Sequence, residues 1–444
     1  MDIVQTVTSS LQKHLGKELD DLARECRVVH REREFTGQSL LLMIVLTLLR
    51  KPDASWRDFH LTAGLLGVEV TQTAVEKRLA AGQPLVDFLR AALERALQQS
   101  LRGEEAKVAL FQRFTAVLLG DSTTIALPDE LADVFLGCGD ATGSSRAALK
   151  LQVQWDLKTN SVTQLHIEPG RASDAKSPIA VDHADPGTLL VYDLGYFDLS
   201  RFAALDKQNA KYISRFQHGT AVFDDNGVPL NLVAYLRTQT TTVVDREVLV
   251  GASDRLSCRL IAIRMPEEVA NRRRQKAQEK AQKKGRSLSA EYLELLGWSI
   301  FLTNCPAEDL TWKAVVVLYR ARWQIELLFK LWKSHNHLAR GRKGACALEV
   351  LANFYAKLLG VLLQHWILAA TAKPSEGQSL LKAARVLSEM VREILLPLAD
   401  REQVAKQMQR LQKLIQQLAR ITRRKKNPSH AQLIEDPELL DWAA

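Results

Sequence analysis

Cysteine is scarce in this sequence, and its placement excludes two classes of protein. The 444 residues contain five cysteines, an odd number, and no two of them form a CxxC pair. This distribution provides neither a disulfide framework nor a thiolate zinc site, and it is typical of a reducing compartment. The ten histidines form no HExxH spacing, so the sequence does not indicate a zinc hydrolase either.

Long apolar runs and nucleotide-binding loops are also missing. The apolar runs 40–49 and 350–371 are stopped or interrupted by charged residues such as Arg50 and Lys357, and the first is far shorter than the ~20 residues that span a bilayer. The first residues lack the basic-then-apolar layout of a signal peptide. No phosphate loop of the GxxxxGK type is present. We therefore expect buried helices, no membrane association, a cytoplasmic location and no requirement for ATP.

Acidic residues are outnumbered by basic ones. Lysine and arginine total 60 against 51 aspartates and glutamates, which gives a net charge of +9 and favours an anionic partner such as nucleic acid. The basic residues concentrate in three clusters, at 272–286, 340–343 and 420–426. For a single cluster, a solvated face is the more common interpretation. Three clusters beside the catalytic pattern described below favour contact with phosphates.

The chain is long enough for two or three domains, and its residue pattern changes along its length. The segment Thr71–Gly82 fits either the second helix of a helix-turn-helix or an ordinary helical bundle. The pattern predicts a mixed α/β fold between helical regions. The predicted regions are a helical domain at 1–107, an α/β core at 108–217 and 301–345, a β-rich insertion with a basic helix at 218–300, and a helical region at 346–444.

Two of the predicted strands end in an aspartate. Apolar runs lead into Asp121 and into Asp193, and acids at strand ends indicate an active site at the edge of a sheet. Carboxylates suit hard divalent cations, and magnesium is held by few carboxylates together with water and substrate phosphate. Asp156 and Asp198 are alternatives for the second acid, but Asp193 follows the most strand-like run, 189–192.

A third acid lies on a predicted helix with a polar face. If residues 319–333 form one α-helix, five polar residues share an arc of roughly 80° over four turns. They are Tyr319, Arg322, Glu326, Lys330 and Lys333. By spacing alone, i,i+4 ion pairs on a solvated helix are the simpler interpretation. The two preceding aspartates instead favour a site in which three carboxylates hold two divalent cations for an in-line displacement at phosphate.

The spacing of Tyr319, Arg322, Glu326 and Lys333 matches the YREK signature in full, and here the chain resembles the insertion-sequence-four family of bacterial DDE transposases. The segments around Asp121, around Asp193 and at 297–304 continue the resemblance, which covers about residues 108–345. It implies an RNase H-like (retroviral integrase) core interrupted by the β-rich insertion. It also implies that Asp121, Asp193 and Glu326 are the catalytic ligands of two Mg²⁺ ions, for which Mn²⁺ would substitute.

The resemblance further implies contacts with double-stranded DNA. Tyr319, Arg322 and Lys333 are expected to bind phosphates near the cut, with Lys330 and Arg215 as helpers.

Two tryptophans are DNA-binding candidates on the same grounds. In the family, a tryptophan just before the last core strand stacks on a flipped base, and Trp298 has this place. Aromatic stacking partly offsets the free energy of extruding a base. For Trp298 we expect stacking, while for Trp323, inside the signature, stacking and core packing are equally supported.

Together these features predict a cut-and-paste DNA transposase. It would bind terminal inverted repeats through residues 1–107, cleave both strands through a hairpin and join the free 3′ ends to target DNA. A homodimer on paired ends is expected, with residues 346–444 in dimerisation or DNA contact, and the protein would associate with the nucleoid when bound to DNA. Two alternatives stay open: an RNase H-like nuclease without strand transfer, and an inactive or domesticated DNA-binding protein. The intact signature argues against the first, and the presence of all three acids against the second.

Overall fold

The chain is described from a computed structural model, over residues 3–29, 34–98, 105–106, 108–139, 146–179, 183–335, 337–338, 345–372, 377–422, 424 and 426–440. The helices there are α1 (Ile3–His14), α2 (Glu18–Glu25), α3 (Gly37–Arg50), α4 (Trp56–Leu65), α5 (Gln72–Leu79), α6 (Gln83–Leu97), α7 (Ala109–Gln112), α8 (Leu199–Lys207), α9 (Leu232–Thr238), α10 (Glu267–Gln282), α11 (Ala290–Leu295), α12 (Trp312–Ala321), α13 (Trp323–Lys330), α14 (Ala347–Thr371), α15 (Leu380–Leu395), α16 (Arg401–Leu418) and α17 (His430–Glu435). The strands are β1 (Val117–Leu127), β2 (Ala147–Asp156), β3 (Ser161–Pro169), β4 (Leu189–Tyr192), β5 (Lys211–Arg215), β6 (Val222–Phe223), β7 (Val243–Val250), β8 (Leu256–Arg264) and β9 (Trp298–Thr303).

The chain divides into two compact units. The helical unit comprises Met1–Ala106, Ser122–Ala172 and Gln324–Thr422. The sheet unit comprises Lys107–Asp121, Ser173–Trp323 and Arg423–Ala444. The chain passes from one unit to the other within β1, and again within α13. This division into two units does not test the four regions expected from the sequence, which stay a prediction.

Helix α14 is the central element of the helical unit. It packs against α3 and α6, and Gly360 allows the close approach, since a Cβ atom there would lie 2.9 Å from Leu49 Cδ2. By length and composition α14 is apolar enough to cross a membrane, with a mean hydropathy of 1.3. However, 72% of its apolar window is buried. This burial is that of a core helix, as the sequence predicted for residues 350–371.

The sheet unit contains a large mixed sheet. Within this unit the strand order is β1-β4-β5-β9-β8-β7-β6, in which β1, β4 and β5 run parallel and the remaining neighbours pair antiparallel. All four residues of β4 are buried, as expected for a parallel strand covered on both faces. Gly120 of β1 is paired with Tyr192 of β4. The residues that follow this pair, Asp121 and Asp193, therefore lie side by side where the pairing of β1 with β4 ends.

Residues 218–300 contain strands β6, β7 and β8 and the basic helix α10. Strands β7 and β8 form an antiparallel hairpin whose inward side chains, with those of β9, make an apolar core. The mixed α/β class predicted from the sequence is thus confirmed.

The helix that carries the polar face is not continuous, and this expectation from the sequence was wrong. Helix α12 ends at Ala321, α13 begins at Trp323, and a π-helical turn, Leu331–His335, follows. At the break the amide of Arg322 donates to the carbonyl of Tyr319 at 3.1 Å, an i→i−3 bond that tightens the turn. The regular spacing of 100° per residue therefore does not hold across Arg322.

The contact between Gly120 and Tyr192 gives a prediction. A Cβ atom at position 120 would lie 2.5 Å from Tyr192 Cε1, and this tyrosine is fixed by its hydroxyl, which donates to the Ile179 carbonyl at 2.7 Å. We expect Gly120→Ala to lower the free energy of unfolding by about 1–3 kcal/mol, because the ring must leave its position. Urea denaturation measures the change.

Gly64→Ala is the matched control. Gly64 lies in α4, and nothing would lie within 4 Å of the added methyl group. That variant should be neutral or stabilised by up to roughly 1 kcal/mol, since alanine is the better helix former. Equal stability of the two variants would contradict the close packing beside Asp121.

Candidate active site

Asp121 and Asp193 lie where the pairing of two parallel strands ends. The side chain of Asp121 is 16% exposed and that of Asp193 is 45% exposed. Strand β1 itself continues to Leu127, so Asp121 marks the last residue beside β4 rather than the end of its strand. The neighbouring parallel strands deliver both carboxylates to one edge of the sheet.

Arg322 links the two aspartates. Its Nη1 donates to Asp121 Oδ2 at 2.7 Å, and its Nε lies 3.8 Å from Asp193 Oδ1. The arginine side chain is only 14% exposed, so these charges interact with less screening than a surface pair. One guanidinium thus compensates two carboxylates that would otherwise repel each other.

Tyr319 contacts the second aspartate. Its hydroxyl donates to Asp193 Oδ1 at 3.1 Å, and its ring packs edge-on against Phe301 with centroids 5.1 Å apart. Burial, together with the charge of Asp193, raises the pKa of the Tyr319 hydroxyl above its ordinary value. The phenol therefore stays protonated at neutral pH and remains a hydrogen-bond donor.

Arg215 ends strand β5, as the sequence analysis placed it. Its guanidinium carbon lies 5.2 Å from the centroid of the Phe301 ring and 6.0 Å from that of Tyr319. Both distances are within the range of cation–π attraction. Burial lowers the pKa of Arg215, an effect opposed by Tyr319 and Asp193. Phe301 was not singled out in the sequence, where it is one apolar residue in a buried strand.

Two residues of the signature, Glu326 and Lys333, belong to the helical unit, as does Lys330. Glu326 is half-buried and Lys330 is exposed, both on α13. Lys333 lies in the π-helical turn, where its Nζ donates to the Thr124 carbonyl at 2.7 Å. Partial burial lowers the pKa of Lys333. π-Helical turns are rare and frequent at functional sites.

The two tryptophans have different environments. Trp298 is 8% exposed and belongs to the apolar core of the insertion, and the Arg264 guanidinium lies 4.8 Å from its ring centroid. Trp323 is 58% exposed. Trp323 therefore offers a free aromatic surface in this structure, whereas Trp298 is packed.

Asp156 and Asp198, the two alternatives for the second acid, accept hydrogen bonds that stabilise local structure. Asp156 is buried and accepts hydrogen bonds from the Lys158 amide at 3.0 Å and the Thr159 hydroxyl at 2.7 Å in the β2–β3 turn. Asp198 caps α8 by accepting from the Arg201 amide at 3.1 Å. Both acids have roles in local structure, which supports Asp193 as the partner of Asp121.

The donor set at Asp121 and Asp193 suits a hard divalent cation. Two carboxylates lie beside the Arg322 guanidinium, and oxygen ligands are those that Mg²⁺ and Mn²⁺ prefer. Across the described ranges, no group of three or more His, Cys, Asp or Glu side chains is arranged to hold one ion. Of the basic clusters, residues 340–343 and Arg423 and Lys425 lie outside the described ranges.

Loss of the Arg322 cation should destabilise the protein. We expect Arg322→Gln to lower the free energy of unfolding by about 2 kcal/mol, because the largely buried Asp121 carboxylate loses its charged hydrogen-bond partner. Urea denaturation without divalent cations measures this.

Arg237→Gln is the control for that change. Arg237 forms a bidentate pair with Glu294, but its side chain is 68% exposed. Its loss should leave stability unchanged within error, since exposed pairs contribute little. An equal loss in both variants would show that Arg322 is an ordinary surface arginine.

Comparison with known proteins matches the chain to a family. Residues 112–351, more than half of the chain, match the family model of the transposase DDE domain. The transposase of the insertion sequence element IS231F from Bacillus thuringiensis subsp. israelensis is 26% identical over 81% of this chain and 79% of its own length. The IS1151 transposase of Clostridium perfringens is 27% identical over 57% of each chain.

Two further similarities extend the comparison. The putative transposase InsL of element IS186A from Escherichia coli strain K12 is 27% identical over 74% of this chain and 85% of its own length. A piggyBac transposase synaptic complex with hairpin DNA, solved by cryo-electron microscopy, aligns over 90% of this chain and 84% of that one, with a TM-score of 0.45 and 10% identity. The family match confirms the resemblance to DDE transposases seen in the sequence. The chain belongs to the family of transposases with a DDE domain, enzymes that cleave DNA and transfer its strands.

Proposed function

We propose that this protein is a cut-and-paste transposase that excises its element through a DNA hairpin and joins the 3′ ends to target DNA. The observation that carries the proposal is the pair Asp121 and Asp193, held side by side at the ends of parallel pairing and linked by Arg322. A phosphate-processing site needs such carboxylates close to a cation that contacts phosphate.

In this proposal Asp121, Asp193 and Glu326 are the catalytic acids and the ligands of two Mg²⁺ ions. The bound ions would stabilise the charge of the attacked phosphate. The fit of two carboxylates to a hard cation supports this role for the aspartates, and the YREK spacing supports it for Glu326.

The neighbouring donors would hold the DNA backbone. Arg322 carries five N–H donors in a planar fork that matches a phosphate, and the Tyr319 hydroxyl stays protonated beside it. Lys333, Lys330 and Arg215 would add further contacts with DNA phosphates. Each contact would place the scissile phosphorus for in-line attack, a positioning effect that accounts for much of phosphoryl-transfer catalysis.

The exposure of the tryptophans favours one of them for base stacking. Trp323 directly follows Arg322 in the chain and presents most of its ring to solvent. An unstacked base at the cut would find an aromatic surface there, at a gain of about 1–3 kcal/mol. Trp298, the family's expected position, would need to lose its packing before it could stack, and its role in DNA binding stays a prediction.

The remaining regions complete the proposal. Residues 1–107 would bind the terminal inverted repeats, and α5 leaves Gln72, Thr73 and Glu76 exposed as groups able to read base edges. The core at 108–217 and 301–345 would cut, beside the insertion at 218–300. Residues 346–444 would support a homodimer on paired ends. The protein would work in the cytoplasm, on nucleoid DNA and without ATP.

Charge-neutral variants test the three acids. We expect Asp121→Asn, Asp193→Asn and Glu326→Gln each to reduce cleavage at the element's ends by at least about a hundredfold, because each removes a metal-binding carboxylate. Binding of the ends without divalent cations should persist. The measurement is excision from a plasmid that carries the gene with its flanking DNA, analysed on denaturing gels.

Asp198→Asn is the matched control. Asparagine caps a helix as well as aspartate does, so α8 should keep its cap and the variant its cleavage. Wild-type excision by any of the three acid variants, or a loss in Asp198→Asn as large as theirs, would overturn the proposal.

A further inference from the structure

Helix α10 carries the basic cluster at 272–286, and the structure separates its residues into two kinds. One kind forms hydrogen bonds with neighbouring residues of the sheet unit. Arg273 donates to the Trp298 carbonyl at 3.3 Å and to the Ser299 hydroxyl at 3.1 Å. Arg274 donates to the Leu293 carbonyl at 3.2 Å and to Glu267 and Asn271, both at 2.8 Å. Arg273 thus attaches α10 to strand β9, and Arg274 attaches it to helix α11.

The second kind forms a row on the outside of the helix. Arg272, Lys276 and Lys280 are exposed and spaced by four residues, which places successive charges on one face about 6 Å apart along the axis. Lys283 and Lys284, also exposed, extend the row beyond the last turn. We call these five residues the α10 row.

Acidic groups compensate this row only at its beginning and centre. Arg272 pairs with Glu268 at 3.0 Å, and both side chains are more than 60% exposed. Glu279, on the same side, accepts from Gln275 at 3.1 Å. In the described part of the chain, no ion pair joins an acid to Lys276, Lys280, Lys283 or Lys284. Like charges at i,i+4 destabilise a helix, so the row costs stability unless an anion covers it.

The attachment of α10 connects the row to the proposed active site within the sheet unit. Burial, together with the nearby charge of Arg215, lowers the pKa of Arg273. Arg215 in turn stacks on Phe301 and Tyr319, and the Tyr319 hydroxyl contacts Asp193. Positive charge therefore extends from the aspartate pair, through Arg215 and Arg273, to the exposed row.

We propose that the α10 row binds the phosphate backbone of the DNA duplex that leads away from the scissile phosphate. The inference rests on the proposed function, which places that phosphate at Asp193. Lysines spaced along one helix face neutralise a duplex, whose phosphates bring one negative charge per ~1.7 Å of its axis. Contacts of this kind position DNA and carry no sequence information. The row therefore binds any duplex sequence.

Salt-dependent binding of a random-sequence 30-bp duplex, in EDTA, tests the proposal. For Lys276→Gln/Lys280→Gln, two lost phosphate contacts should make the slope of log K against log salt shallower by about 1.8, and weaken binding at 0.15 M salt roughly tenfold or more. A duplex taken from the element's end should lose the same factor. The full-length protein is used, and thermal unfolding verifies that the variant is folded.

Lys207→Gln/Arg237→Gln is the matched control, because it removes two exposed cations of the sheet unit that lie outside the α10 row. Its slope should equal that of the wild type. An α10 variant with the control's slope would overturn the proposal, as would a loss restricted to the element's end, which indicates base reading.

The same assay distinguishes this inference from the proposed function. Asp121→Asn should bind the random duplex with the wild-type slope while it fails to excise. An unchanged slope in the α10 variant, together with loss of excision in Asp121→Asn, would overturn only the proposal for the α10 row. Wild-type excision by Asp121→Asn would overturn the proposed function, on which the α10 proposal depends.

Discussion

The arrangement of the candidate site depends on the electrostatic link between Arg322 and two aspartates. Parallel pairing of β1 and β4 ends at Gly120 and Tyr192, so the next residues, Asp121 and Asp193, are neighbours, and two adjacent carboxylates repel each other. A cation must therefore be delivered to the same point. Arg322 supplies it because α12 ends one residue earlier and turns there. The position of α12, packed on β4 and β5, thus decides where the charge lies.

The groups around this link form a series of contacts that leads to Asp193. Tyr319 holds Asp193 through a phenol that burial keeps protonated. Arg215 and Phe301 hold the Tyr319 ring from the other side. Each of these groups touches the next, so a change at β5 can reach Asp193 without a direct contact. Arg322 and Arg215 also make the potential around the acids more positive. This is expected for an enzyme that must bring a phosphate diester close to carboxylates.

Local sequence patterns predicted much of the fold. The apolar run at 189–192 identified a buried strand, the basic run at 272–286 a helix, and the run at 350–371 a core helix, because burial and periodicity act over a few residues. The acids at the ends of β-like runs followed from the same signals. Asp121 was nevertheless taken as a strand end, although β1 continues to Leu127.

Features that depend on contacts between distant residues were not predictable in this way. The break at Arg322 has no proline or glycine to indicate it, and a regular helix was assumed across it. The covering of Trp298 by Arg264 depends on the antiparallel register of β8 and β9. Likewise, the separation of Arg273 and Arg274 from Arg272 and Lys276 depends on which face of α10 meets β9. Composition and spacing contain none of these pairings.

Binding of Mn²⁺, followed by electron paramagnetic resonance, tests the central claim most directly, namely that the acids linked by Arg322 are a metal site. The experiment compares the wild type with Asp193→Asn and Asp198→Asn in the presence of end DNA. The account predicts two bound ions per chain for the wild type and for Asp198→Asn, and the loss of at least one ion in Asp193→Asn. Wild-type Mn²⁺ binding by Asp193→Asn would contradict it.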